Sequence, residues 1–143
     1  MEFYFYEKNF NQMACSSGNL PRFQCIYSLC WRCGVVITEP VTGSTVSSPV
    51  KVCMAVDGVE VQPAKKGVNL GKGHHHLLID VDLPSDLSKR IGKDANHVHM
   101  GDGSTCKELK LGSGKHVIRT LFANGGHVPY NPAITSTVIV TVK

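Results

Sequence analysis

The residues of this chain best suited to chemistry are its seven histidines, and all of them lie in its second half. His74, His75 and His76 are consecutive, inside Gly71-Lys72-Gly73-His74-His75-His76-Leu77-Leu78-Ile79-Asp80. His97 and His99 flank Val98, and His116 and His127 stand singly. The segment from His74 to Val81 reads as a strand, and side chains alternate faces along a strand. His74 and His76 therefore share a face with Leu78 and Asp80, while His75 joins Leu77 and Ile79 on the other. An i, i+2 histidine pair offers two imidazoles to one ion without distorting the backbone. Two such pairs on neighbouring strands would supply four nitrogens, a donor set suited to copper or zinc. His74, His76, His97 and His99 are accordingly the candidate ligands. Asp80 or Asp102 could fix a ring by accepting its second N–H. His116 opens a later strand as a packing or turn residue, and His127 sits in a loop that could close over the site. Against this stands a purely structural reading, in which imidazoles at strand ends bond backbone carbonyls or one another and only stabilise loops.

Other chemistries find less support. Cys53 and Cys106 have no base at an informative spacing, so no nucleophile is assembled. Gly71-Lys72-Gly73 is too short to cradle a phosphate and opens a strand. Cys30-Trp31-Arg32-Cys33 is a lone CxxC without a second CxxC or a βαβ setting, a weak sign of redox or zinc chemistry. The net charge of +4 is scattered, with no basic run longer than Lys65-Lys66, which argues against nucleic-acid binding. No apolar run approaches the roughly 20 residues of a membrane span.

Short strands must position these histidines. Fourteen glycines and seven prolines, spread through 143 residues, suit many turns. Val35 to Thr38, Val50 to Val56, Val59 to Val61, His74 to Val81, His97 to Met100, Cys106 to Leu111, His116 to Phe122 and Ser136 to Val142 all carry strand patterns. Turn signals such as Asp57-Gly58, Gly112-Ser113-Gly114 and Asn124-Gly125-Gly126 separate them. Pro84 to Asp94 reads as a polar connection with one helical turn at Ser85-Asp86-Leu87-Ser88. About seven short strands without a long helix predict an all-β domain, an antiparallel, immunoglobulin-like β-sandwich over residues 34–143. Four cysteines precede this part and only Cys53 and Cys106 lie within it, so it should fold without a disulfide framework. Residues 1–33 form an aromatic, cysteine-bearing extension, processed or loosely ordered, that is not a clean signal peptide.

Gly71 to Asp80 resembles the GHHHLLID signature of a family of unknown function, domain of unknown function 4399, in its plant and algal form. Glu39-Pro40, Gly43 and Ser48-Pro49 match the family's opening motifs, and His97 to Thr105, Leu111 to His116 and Phe122 to Tyr130 match later ones. The resemblance spans about residues 35–142, with Met100 where phenylalanine is usual and Ser104 where glutamine is. It implies a β-domain whose histidines belong to a pattern, and an exported or organellar location, although the head lacks a clean export signal. A likeness of His97-Val98-His99 to the copper-ligand strand of copper/zinc superoxide dismutases covers only a few residues and lacks the zinc loop. The expectation is a small binding module with a histidine site for copper, zinc or a small anionic or sugar-like ligand. A structural or interaction domain is the alternative, and a metal-dependent enzyme is expected least.

Overall fold

The structure is a computed structural model and describes residues 33–143. Residues 1–32 of the extension expected at the N-terminus, with Cys30 of the CxxC motif, lie outside the described residues. The strands are β1 (Gly34–Glu39), β2 (Thr45–Val46), β3 (Val50–Asp57), β4 (Glu60–Val61), β5 (Lys72–Ile79), β6 (His97–His99), β7 (Cys106–Leu109), β8 (Gly114–Ala123) and β9 (Thr135–Val142). They form a three-stranded sheet, β1-β3-β7, and a six-stranded sheet, β2-β9-β8-β5-β4 with β6 also paired to β5. The all-β sandwich read from the strand patterns is present. β2 and β4 are two-residue additions that pair in parallel with β9 and β5, and every other pairing is antiparallel. Among the described residues no helix is long and apolar enough to cross a membrane.

The alternating pattern builds the core. Val50, Val52 and Met54 of β3 meet Leu77 and Ile79 of β5, Ile118 of β8, and Val138, Val140 and Val142 of β9. β9 shows the cleanest alternation, with these valines buried and Thr137, Ile139 and Thr141 turned outward. β5 differs, because every residue from Gly73 to Ile79 is buried. One of its faces lies on the core. The other, bearing His74, His76 and Leu78, is covered by connections, and so the strand reads as a nearly unbroken apolar and histidine run rather than an alternation.

The 80–96 connection supplies part of that cover. The Asn96 amide donates to the Ile79 carbonyl at 2.9 Å. Its expected helical turn is instead a turn closed by the Asp86 carboxylate, which accepts the Ser88 N–H at 3.0 Å and its hydroxyl at 2.6 Å. An aspartate side chain competes well with the backbone for such donors, which favours a turn over a helix. A disulfide between Cys53 and Cys106 joins opposed residues of β3 and β7.

At the far end of β5, Asp80 turns the chain with φ 57°, a conformation that aspartate tolerates better than most residues. Its carboxylate accepts the Val117 N–H at 2.7 Å and His116 Nδ1–H at 2.7 Å, while His116 Nε2–H donates to the Gly112 carbonyl at 2.9 Å. Both ring nitrogens donate, so the cationic ring is favoured: the bond to Asp80, then that to Gly112, raises the His116 pKa above 6.5. For Asp80, burial works against ionisation, but the Val117 N–H and His116 outweigh it and hold the carboxyl below 3.8. A depressed acid stabilises above its ordinary pKa and a raised base stabilises below its own. The pin is therefore whole between about pH 4 and 6.5 and weakens as pH rises through the elevated His116 value. Asp80→Asn, which keeps the turn, should cost about 1 kcal/mol at about pH 5.5, allowing for solvent screening, and clearly less at about pH 9. Urea melts at the two pH values check this; a cost that does not vary with pH would show that the ion pair is irrelevant.

Candidate metal centre

Strand register brings histidines from three parts of the chain to one point. His76 on β5 pairs directly with His99 on β6, and His74, two residues back, is on the same face. His74 also pairs with Ala123, the last residue of β8, so the turn after β8 emerges beside it and delivers His127. His74 Nε2 lies 3.0 Å from His76 Nε2, 3.2 Å from His99 Nε2 and 3.2 Å from His127 Nδ1. One donor atom from each of the four rings falls within 4.8 Å of all the others. His74 and His76 are wholly buried, while His99 and His127 are half-buried and form the open side.

Hydrogen bonding alone does not account for this arrangement. An imidazole nitrogen has either one N–H or one lone pair, so His74 Nε2 can complete only one of three such contacts. A cation at the centre would satisfy all four nitrogens together. Two nitrogens bound to one zinc at ~2.0–2.1 Å and the tetrahedral angle lie ~3.3 Å apart, close to the three spacings around His74 Nε2. The outward Nδ1 atoms of His74 and His76 are buried and find no hydrogen-bond partner among the described residues. The rings are thus set by packing and strand register, without the acceptors that usually orient a metal-bound imidazole.

The electrostatics keep these lone pairs available. Burial first, then the nearby histidines, lowers the pKa of His76 to about 3 and that of His74 to about 4. Burial also lowers His99, assisted by His127 and Lys93, and lowers His127, assisted by Arg90. All four rings are consequently neutral near pH 7, the protonation state that binds metal.

His127 depends on a tightly built turn. The Asn124 side-chain oxygen accepts the N–H groups of Gly126 at 2.8 Å and Val128 at 3.2 Å, and the Asn124 carbonyl accepts the His127 N–H at 2.9 Å. His127 itself has φ 65°, unusual for a side chain of this size. From the other side, the Ile91 N–H donates to the His127 carbonyl at 2.9 Å, tying the 80–96 connection to the centre. Gly125 has no room for a Cβ, which would collide with the Gly67 carbonyl. Gly101 is equally constrained, because a Cβ there would strike the His99 ring. Gly101→Ala should displace that ring and weaken zinc binding about 10- to 100-fold, as disturbing a ligand's support commonly does, with the fold intact. Calorimetric zinc titration beside far-ultraviolet circular dichroism measures both, and unchanged affinity would mean the His99 ring position is unimportant.

The other histidines and acids lie elsewhere. His97 shares a face with His99 but stands opposite Leu78, one pair further from His74. Its Nδ1 faces the Asp94 carboxylate at 2.9 Å, and its ring lines a pocket of about 290 Å³ with Leu78, Arg90 and Ile91. Of the four residues expected as ligands, the structure therefore gathers His74, His76 and His99, and places His127 in the position expected for His97. The signal for His127 was the Asn124-Gly125-Gly126 turn, but only the β5–β8 register shows that the turn ends beside His74. His75 faces the interior, edge-on to Phe122, with Nδ1 3.4 Å from the Thr120 hydroxyl. Asp80 holds His116 rather than a ring of the cluster, and Asp102 accepts the Ser104 N–H at 3.0 Å and hydroxyl at 2.7 Å.

Comparison with curated proteins gave no match, and comparison with solved structures gave none either. One family profile, described as Domain of unknown function (DUF4399), matches residues 52–143. That stretch runs from within β3 to the end of β9 and contains every histidine of the cluster. The chain belongs to the DUF4399 family of domains of unknown function.

Proposed function

We propose that this β-sandwich is a metal-binding module whose His74, His76, His99 and His127 hold a copper or zinc ion. The observation that carries the reading is His74 Nε2, which lies 3.0–3.2 Å from three other imidazole nitrogens and can hydrogen-bond to only one of them. A domain whose histidines only stabilise loops has no use for the other two approaches. An all-imidazole donor set favours copper or zinc over magnesium or calcium, which prefer oxygen. Metal analysis of full-length protein purified without a histidine tag tests this, together with calorimetric copper and zinc titration of wild type, His99→Ala and His97→Ala. The expected result is one ion per chain, lost in His99→Ala and retained in His97→Ala. Equal, weak binding by all three proteins would overturn the proposal.

A further inference from the structure

Imidazole ligates a metal as a neutral donor, so a divalent ion held by the four rings would keep its full charge. Asp94 and Asp102, in the segments on either side of β6, are already hydrogen-bonded. Asp94 accepts His97 Nδ1–H and two backbone N–H groups, and Asp102 accepts the Ser104 hydroxyl and N–H. The open side of the centre, at His99 and His127, is instead flanked by cations. Arg90 precedes Ile91, whose N–H is bonded to the His127 carbonyl, and Lys93 lies on the same connection just before the Asp94–His97 pair. Both are exposed, and neither forms an ion pair among the described residues. Asp86 pairs with Lys89 and Asp82 with Arg119, so the acids of this connection do not neutralise them. A cation held only by neutral ligands in a partly desolvated site, beside two basic side chains that form no ion pair, attracts negative charge from solution.

We infer that the metal-loaded centre takes a small external anion, an inorganic anion or a carboxylate, as a further ligand on its His99–His127 side, drawn there by Arg90 and Lys93. The inference rests on the metal-binding reading. It makes the centre a site for an anionic ligand, with two side chains of the 80–96 connection setting the affinity for it.

The experiment uses full-length protein loaded with copper(II) and titrated with azide, followed by visible charge-transfer absorption and electron paramagnetic resonance. Wild type is compared with an Arg90→Ala, Lys93→Ala double variant, and the copper content of both is measured. The expected result is saturable perturbation of the copper spectrum by azide, with an affinity about tenfold weaker in the double variant at equal copper content. High salt should narrow that difference, as it screens exposed charges. Azide that leaves the spectrum of copper-loaded wild type unchanged, or binds both proteins equally, overturns the anion site while the metal site stands. Wild type that takes up no copper overturns both.

Discussion

Replacing His74 with alanine is expected to lower zinc affinity by about 100-fold or more, which is one ligand's share of the binding free energy of a four-ligand zinc site. His74 is the residue to remove because its Nε2 approaches all three other rings. The loss should also be visible as stability. Zinc at about a thousand times its dissociation constant stabilises a folded protein by about 4 kcal/mol, which for a domain of this size raises Tm by roughly 15 °C. Wild type should show that rise, and a variant weakened ~100-fold only about a third of it, roughly 5 °C. The metal-free variant should fold, since the substitution removes a buried ring whose Nδ1 has no partner among the described residues. His99→Ala, at a half-buried position, provides the same test if it does not. The acid response carries the opposite sign to that of the Asp80–His116 pin. His74 and His76 have lowered pKa values in the folded chain, so protons favour the unfolded one. The metal-free protein should therefore lose stability as pH falls from 6.5 towards about 4 and about 3. Identical zinc-induced shifts in wild type and both variants would exclude the cluster as the site.

The β-sandwich was legible because its cues are local. Val50, Val52 and Met54, like Val138, Val140 and Val142, alternate with exposed neighbours and fall into the core, as period-two patterning requires. β4 falls within the Val59 to Val61 stretch that reads as extended, but β2 was not legible, because a two-residue strand has no periodicity and exists only through its partner. The centre divides along the same line. Alternation within β5 puts His74 and His76 on one face and His75 on the other without reference to any other strand. Choosing between His97 and His99 requires the register of β6 on β5, which sets His99 opposite His76 and His97 opposite Leu78. Finding His127 requires the end of β8 to be known as the neighbour of His74. Face is a property of one strand and can be read from the sequence; convergence depends on register and cannot.

The disulfide shows the same limit, and its removal should have the second-largest effect. Cysteine counts suggest a domain that folds without a disulfide framework, but Cys53 and Cys106 are opposed on β3 and β7 and linked, with 53 residues of separation. Closing a loop of that length in the unfolded chain is worth about 4 kcal/mol by chain entropy, and native bridges commonly deliver 2–4. The native structure also leans on this bond. β7 is an edge strand whose buried residue is Leu109, so little apolar burial would hold it to β3 once the link is cut. Cys106 is exposed, which gives a reductant access. A Cys53→Ala, Cys106→Ala variant, or wild type in reductant, should therefore denature at a urea concentration lower by about 1–2 M for an ordinary dependence on denaturant. Zinc affinity should change little under conditions where the variant remains folded, because the histidines lie on the far face of the other sheet. A midpoint shift below about 0.3 M would show that β7 is held by its strand pairing and Leu109 alone. Lost zinc binding in the folded variant would show instead that the two sheets are coupled through β3 more tightly than their packing implies.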